Sequence, residues 1–121
     1  MVKTTLKKSY RSFFYALNGF KTTWKEEHNF RIETFCGSAV VLFAYFFNFS
    51  LLEWSLCILS IIIVLTGEIV NTAIEDLCNK VEPEHDPAIG KIKDTMAAFV
   101  FVSSIGVSIL GILIFAHHFI Q

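Results

Sequence analysis

Only two prolines and six glycines stand among 121 residues, so little of the chain is available for turns or irregular loops. Both prolines, Pro83 and Pro87, fall in one short segment, which leaves long stretches free to be helical. Cysteine is scarce too. Cys36, Cys57 and Cys78 lack the paired spacing of a metal site and sit in or beside apolar segments. They read as buried free thiols acting as small hydrophobes. No basic excess exists, since ten Lys and Arg face eleven Asp and Glu, and no binding motif accompanies them. A nucleic-acid partner is therefore not expected. Charge interrupts the first thirty residues throughout, so no cleavable signal peptide is visible.

What the chain does have is apolar side chain. Hydrophobic residues make up 54% of it, Phe alone occurs 13 times, and the mean hydropathy is +0.56. At this length the composition predicts one membrane-embedded domain, 1–121, of the all-α class. Residues 4–30 read as an amphipathic surface helix. Leu6, Tyr10, Phe13, Leu17, Phe20 and Trp24 recur at spacings of four and three. Lys3, Lys7, Lys8, Arg11, Lys21 and Lys25 flank that stripe, which suits a helix lying in the headgroup layer. The plain structural alternative is a helix packed against the rest of the protein.

Three spanning helices are expected over 34–52, 54–81 and 91–119. Asn48-Phe49-Ser50 reads as the outer turn, with Trp54 as an interfacial anchor. Ala97, Ser104, Ser108 and Gly111 form a small-residue stripe suited to close helix packing. His117 and His118 read as polar anchors at the outer side. All ten basic residues precede the first span or lie in and beside the loop that joins the last two. The positive-inside rule places both regions in the cytoplasm, with the N-terminus inside.

The residues that carry chemistry end the longest apolar run. Glu68, Asn71, Thr72 and Glu75 fall on one helical face, with the two carboxylates two turns apart. An ionised carboxylate at membrane depth costs about 2.5–3.5 kcal/mol on insertion scales, so chains carry one there mainly for function. Taken alone, Glu68 could equally be a buried carboxyl bonded to a neighbouring helix; the company of Asn71, Glu75, Lys93 and Asp94 argues for a reaction centre. Glu26-Glu27 and the segment from Glu84 to Asp94 bring further acidic groups to the same interface. Carboxylates with a lysine, and no Cys/His set, suit Mg²⁺ held partly by substrate phosphates. Phosphoryl transfer needs such parts. Soluble nucleotide signatures are missing: Gly90-Lys91 resembles the end of a P-loop, but His85 and Ile92 stand where its Gly and Ser/Thr belong.

Glu68-x-x-Asn71-Thr72-Ala73-Ile74-Glu75, then Lys93-Asp94 followed by Ala97-Ala98, resembles the prokaryotic diacylglycerol kinase family, which includes the undecaprenol kinases. Tyr15-Ala16-Leu17-Asn18-Gly19 and Trp24 to Arg31 are similar to its N-terminal pattern. The resemblance implies a homotrimeric bundle in the bacterial inner membrane, with active sites shared between subunits at the cytoplasmic face. It implies transfer of the ATP γ-phosphate to a membrane lipid alcohol, most simply diacylglycerol, alternatively undecaprenol. By position, Glu68 is the implied general base, and Glu27 and Glu75 the ligands of Mg²⁺. Tyr15, Glu27, Asn71, Glu75, Glu84, His85, Asp86, Lys93 and Asp94 fall where the family meets nucleotide. Lys8, Arg31 and Glu33 border the implied lipid site. Two positions depart: Asn79 stands where Asp is usual, and His85 precedes Asp86 where an aromatic usually precedes His. Asp76 is adjacent to Glu75 but points about 100° away on a helix. A rival of another class is a non-enzymatic membrane scaffold or small transporter using Glu68 as a proton or cation site.

Overall fold

A computed structural model of the protein describes Met1–Gln121. It contains four helices and no strand: α1 (Val2–Glu26), α2 (His28–Phe46), α3 (Leu51–Val81) and α4 (Pro87–Ile120). The long central helix α3 packs against both α2 and α4, and α1 touches α2 and α3 near its own C-terminal end. Two helices, α3 and α4, are long and apolar enough to cross a membrane. The polar residues His28, Asn29, Arg31 and Glu33 open α2 and keep it out of that class.

The expected surface helix of 4–30 is broken four residues earlier. Glu27 adopts an extended conformation (φ −105°, ψ 109°), ending α1 and starting α2. Two contacts fix this elbow. Trp24 packs edge-on against Phe30 and tilted on Phe35, with ring centroids 6.4 and 5.9 Å apart. Arg31 Nη1 donates to the carbonyl oxygens of Trp24 (2.6 Å) and Lys25 (3.1 Å), satisfying acceptors that the end of α1 leaves free. The apolar stripe from Leu6 to Trp24 is largely exposed, and only its C-terminal end, Phe20 and Trp24, meets aromatic rings of α2.

The outer turn is tight. Asn48 takes a positive φ of 54°, a conformation Asn tolerates better than most residues. Ser50 then caps α3 in a reciprocal pair: its Oγ accepts from the Glu53 N–H (3.2 Å), and Glu53 Oε2 accepts from the Ser50 N–H (2.8 Å). Such a capping box contributes about 1 kcal/mol. At the other end of α3, the connection is 82–86, and α4 begins at Pro87 rather than near Lys91. Proline at the first helical position needs no partner for its missing N–H, and Asp86 Oδ1 accepts from the Ala88 (2.8 Å) and Ile89 (3.2 Å) N–H groups.

Only 12 of 121 residues are buried, and many large apolar side chains are exposed on every helix. α2 and α3 approach at Gly37, where an added Cβ would lie 3.3 Å from Ile61. One expectation is corrected here. Cys36 is exposed, while Cys57 and Cys78 are buried. In the small-residue stripe of α4, a Cβ added at Gly111 would meet no atom within 4 Å.

Candidate active site

The sequence motif on α3 runs from buried to exposed. Glu68 is 2% exposed, Thr72 is buried with its hydroxyl donating to the Glu68 carbonyl (2.8 Å), Asn71 is half-buried and Glu75 is open to solvent. The period of 3.6 residues keeps these on one side while the helix emerges past its neighbours. Antiparallel α4 then lays its first turns beside the same stretch. Asn71, Ile74, Glu75, Lys93, Asp94, Met96 and Ala97 line a cleft of about 260 Å³. Four of the candidate residues therefore share one wall-to-wall space, and Lys93 is its only cation.

Lys93 is held in place across the two helices. Its Nζ donates to Asn79 Oδ1 at 2.7 Å. Reading the sequence missed this pair, because contact between residues fourteen apart depends on the length and path of the 82–86 connection.

The elbow residue Glu27 joins the acidic group from the other side of α3. Burial raises its pKa above the usual carboxylate range, and the negative charges of Glu75, Asp76 and Glu26 raise it further; Arg31 opposes them. Asp76 is thus part of this cluster. Despite its 100° offset from Glu75, it lies within electrostatic reach of Glu27. Glu68 lies within electrostatic reach of Glu27 and Glu75, and Glu33 within reach of Glu68. Glu33 Oε2 is buried without a hydrogen-bond partner. It borders an apolar cavity of about 210 Å³ among α2, α3 and α4, lined by residues including Gly37, Ser60 and Val64.

The remaining sequence candidates lie elsewhere in the protomer. Tyr15 and Lys8 are exposed on α1, whose only buried residue is Thr23, and neither lines the cleft. Arg31 is engaged at the end of α1. Glu84 and His85 are exposed in the connection, and Asp86 serves as the N-cap of α4. No three carboxylate, His or Cys side chains close around one point to hold a metal. Around Glu27 the nearby charge is mostly negative, from Glu75, Asp76 and Glu26, with Arg31 the one opposing cation.

Far from this end, Glu53 is buried between α3 and α4. Its carboxylate meets His117 Nδ1 at 3.3 Å and His118 Nδ1 at 3.0 Å, and His118 Nε2 lies 2.9 Å from the Phe47 carbonyl oxygen. The two histidines were read as plain polar anchors; they are partners of the one outer carboxylate. Separation by more than sixty positions hid the contact.

Comparison with known proteins agrees with the motif. The family model described as prokaryotic diacylglycerol kinase matches residues 14–115. The undecaprenol kinase of Bacillus subtilis (strain 168) is 30% identical over 113 residues, covering 93% of this chain and 92% of its own length. The diacylglycerol kinase of Haemophilus influenzae is 33% identical over 118 residues, covering 95% and 100%. That of Escherichia coli (strain K12) is 28% identical over 105 residues, covering 87% and 86%. The chain belongs to the prokaryotic diacylglycerol kinase family.

Proposed function

We propose that this member of the prokaryotic diacylglycerol kinase family phosphorylates a membrane lipid alcohol with ATP, and that the α3–α4 cleft with buried Glu68 beside it is the reaction centre. The observation that carries the reading is the gradient along α3: a carboxylate buried near the apolar zone, then an amide, then an exposed carboxylate facing a lysine. A lipid hydroxyl arrives from the bilayer side and ATP from the aqueous side, and this stretch meets both.

In the proposed reaction Glu68 accepts the proton of the lipid hydroxyl. The hydroxyl oxygen bonds to the γ-phosphorus, the bridging β–γ P–O bond breaks, and ADP leaves with the electron pair. Its burial beside apolar surface keeps Glu68 away from competing water. Lys93 meets the negative charge of the phosphates, and the Asn71 carboxamide can donate to a phosphate oxygen. Glu27 and Glu75 are the proposed holders of Mg²⁺, which when bound would neutralise charge on the phosphates. Asp94, Glu84, His85 and Asp86 are proposed nucleotide contacts. Lys8, Arg31 and Glu33 are proposed to border the lipid, with Arg31 acting through the elbow it caps.

We assign a homotrimer with shared sites on the same footing. Tyr15 stands clear of its own cleft on an exposed α1, a placement suited to reaching the cleft of a neighbouring subunit. Three spans, with the N-terminus and cleft on the cytoplasmic face of the inner membrane, fit the distribution of the basic residues.

Diacylglycerol is the proposed acceptor. The test is transfer from labelled ATP by purified protein in mixed micelles holding either diacylglycerol or undecaprenol. Labelled phosphatidic acid is expected. Label only in undecaprenyl phosphate moves the protein to the polyprenol acceptor. No label in either lipid, with Mg²⁺ present and the protein assembled, overturns the kinase reading and favours a scaffold or transporter.

A further inference from the structure

We infer that Asn79 is a positioning residue that aims Lys93 into the cleft while leaving its full positive charge available to the nucleotide phosphates. The inference rests on the cleft being the nucleotide site.

The geometry has two parts. First, Lys93 Nζ is fixed: it donates to Asn79 Oδ1 at 2.7 Å, across from α4 to the last turns of α3. A free lysine spreads its ammonium over many rotamers and loses side-chain entropy when a ligand immobilises it. A bond already made within the chain removes much of that cost. Second, the partner is neutral. The only carboxylate contacts of cationic groups in the protein join His117 and His118 to Glu53. No carboxylate stands within 4.0 Å of the Lys93 ammonium, although Glu75 and Asp94 line the same cleft. A carboxamide supplies the acceptor and adds no charge. The lysine is tethered but not neutralised, and it keeps two N–H donors for phosphate oxygens.

A simple staple between α3 and α4 would use the same bond, and the two roles separate under substitution. Asn79→Asp keeps the acceptor and adds a negative charge, so it should strengthen a staple. For a positioning residue it should instead compete with phosphate for Lys93. One unit charge about 4 Å away in a water-like medium corresponds to about 1 kcal/mol, or roughly fivefold in affinity. Asn79→Ala removes the tether without adding charge.

The experiment measures KM for MgATP and kcat for lipid phosphorylation in mixed micelles, with thermal unfolding in the same detergent. Wild type, Asn79→Asp, Asn79→Ala and Lys93→Met are compared. The expected result is a KM for ATP raised about fivefold in Asn79→Asp, with the unfolding temperature held or raised. Added salt should raise the wild-type KM more steeply than that of Asn79→Asp, because the uncompensated lysine has more charge to screen. In Asn79→Ala, kcat should fall while the helices remain assembled. An unchanged KM in Asn79→Asp, alongside a large loss in Lys93→Met, overturns the inference alone. A wild-type KM in Lys93→Met shows that the cleft reading itself is wrong, and the inference falls with it.

Discussion

At the Glu53 end of the α3–α4 pair, every prominent polar group has a partner. At the Glu75 end, carboxylates face one another. Glu53 is bonded to the Ser50 N–H, His117 and His118, and His118 stacks on Phe49 with centroids 4.5 Å apart. Around it Phe43, Phe47, Phe115 and Phe119 form a continuous aromatic cluster. Glu75 and Asp76 instead raise the cost of ionising Glu27, and Lys93, the one cation of the cleft, is paired with an amide. On the proposed function, the carboxylates and the lysine at the Glu75 end, which stand open to solvent or half-buried, are the groups that a cation and a polyphosphate would engage.

The largest break in this contrast should come from Glu68→Gln. Removing the proposed base should cost about a hundredfold or more in turnover while leaving thermal unfolding and assembly intact. Full activity in an assembled Glu68→Gln protein would remove Glu68 from the chemistry. Next in size, Glu75→Gln should raise the Mg²⁺ concentration needed for half-maximal rate or abolish turnover. A Mg²⁺ titration that superimposes on the wild type would dismiss Glu75 as a ligand. Opposite behaviour is expected at the satisfied end. Glu53→Gln should lower the unfolding temperature by several degrees, because charge-assisted bonds to two histidines and a backbone N–H weaken together. Turnover at a permissive temperature should survive, and a selective loss of kcat there would dissolve the division between the ends.

The smallest effect is expected at Glu27. The pKa of Glu27 is raised, so the folded protein binds that proton more tightly than the unfolded chain. Above the raised pKa the ionised form costs stability; below it the cost disappears. Glu27→Gln should therefore slightly stabilise the Mg²⁺-free protein at neutral pH, with the advantage shrinking as pH falls through the raised value. Excess Mg²⁺ should reverse the order by stabilising only the wild type. Identical melting curves for the two proteins across pH and Mg²⁺ would mean that Glu27 is not crowded.

Much of the arrangement was legible in the order of residues. The all-helical class followed from long apolar runs without proline, and the shared face of Glu68, Asn71, Thr72 and Glu75 followed from the helical period. Those are local properties. Cross-helix partners were not legible, because Lys93 with Asn79 and Glu53 with His117 and His118 depend on how two helices slide past each other. Helix ends sat between these extremes. Pro87 lies outside the expected 91–119 helix although proline suits a helix start, and Asp86 before it is a capping residue by type. The break at Glu27 had no local signal, since Lys25, Glu26 and Glu27 are ordinary helix residues. Tertiary contacts of Trp24 and Arg31 impose it.

The tight turn at Asn48 also bears on the order of biosynthesis. α2 emerges from the ribosome before α3, yet its polar opening residues leave it short of the apolarity that α3 and α4 possess. Only Phe47–Ser50 separates it from α3, too little chain for the two helices to lodge in different places. Under the three-span reading, α2 cannot commit to the bilayer on its own and enters with α3 as a paired hairpin. The fate of the first span is then decided by residues translated after it.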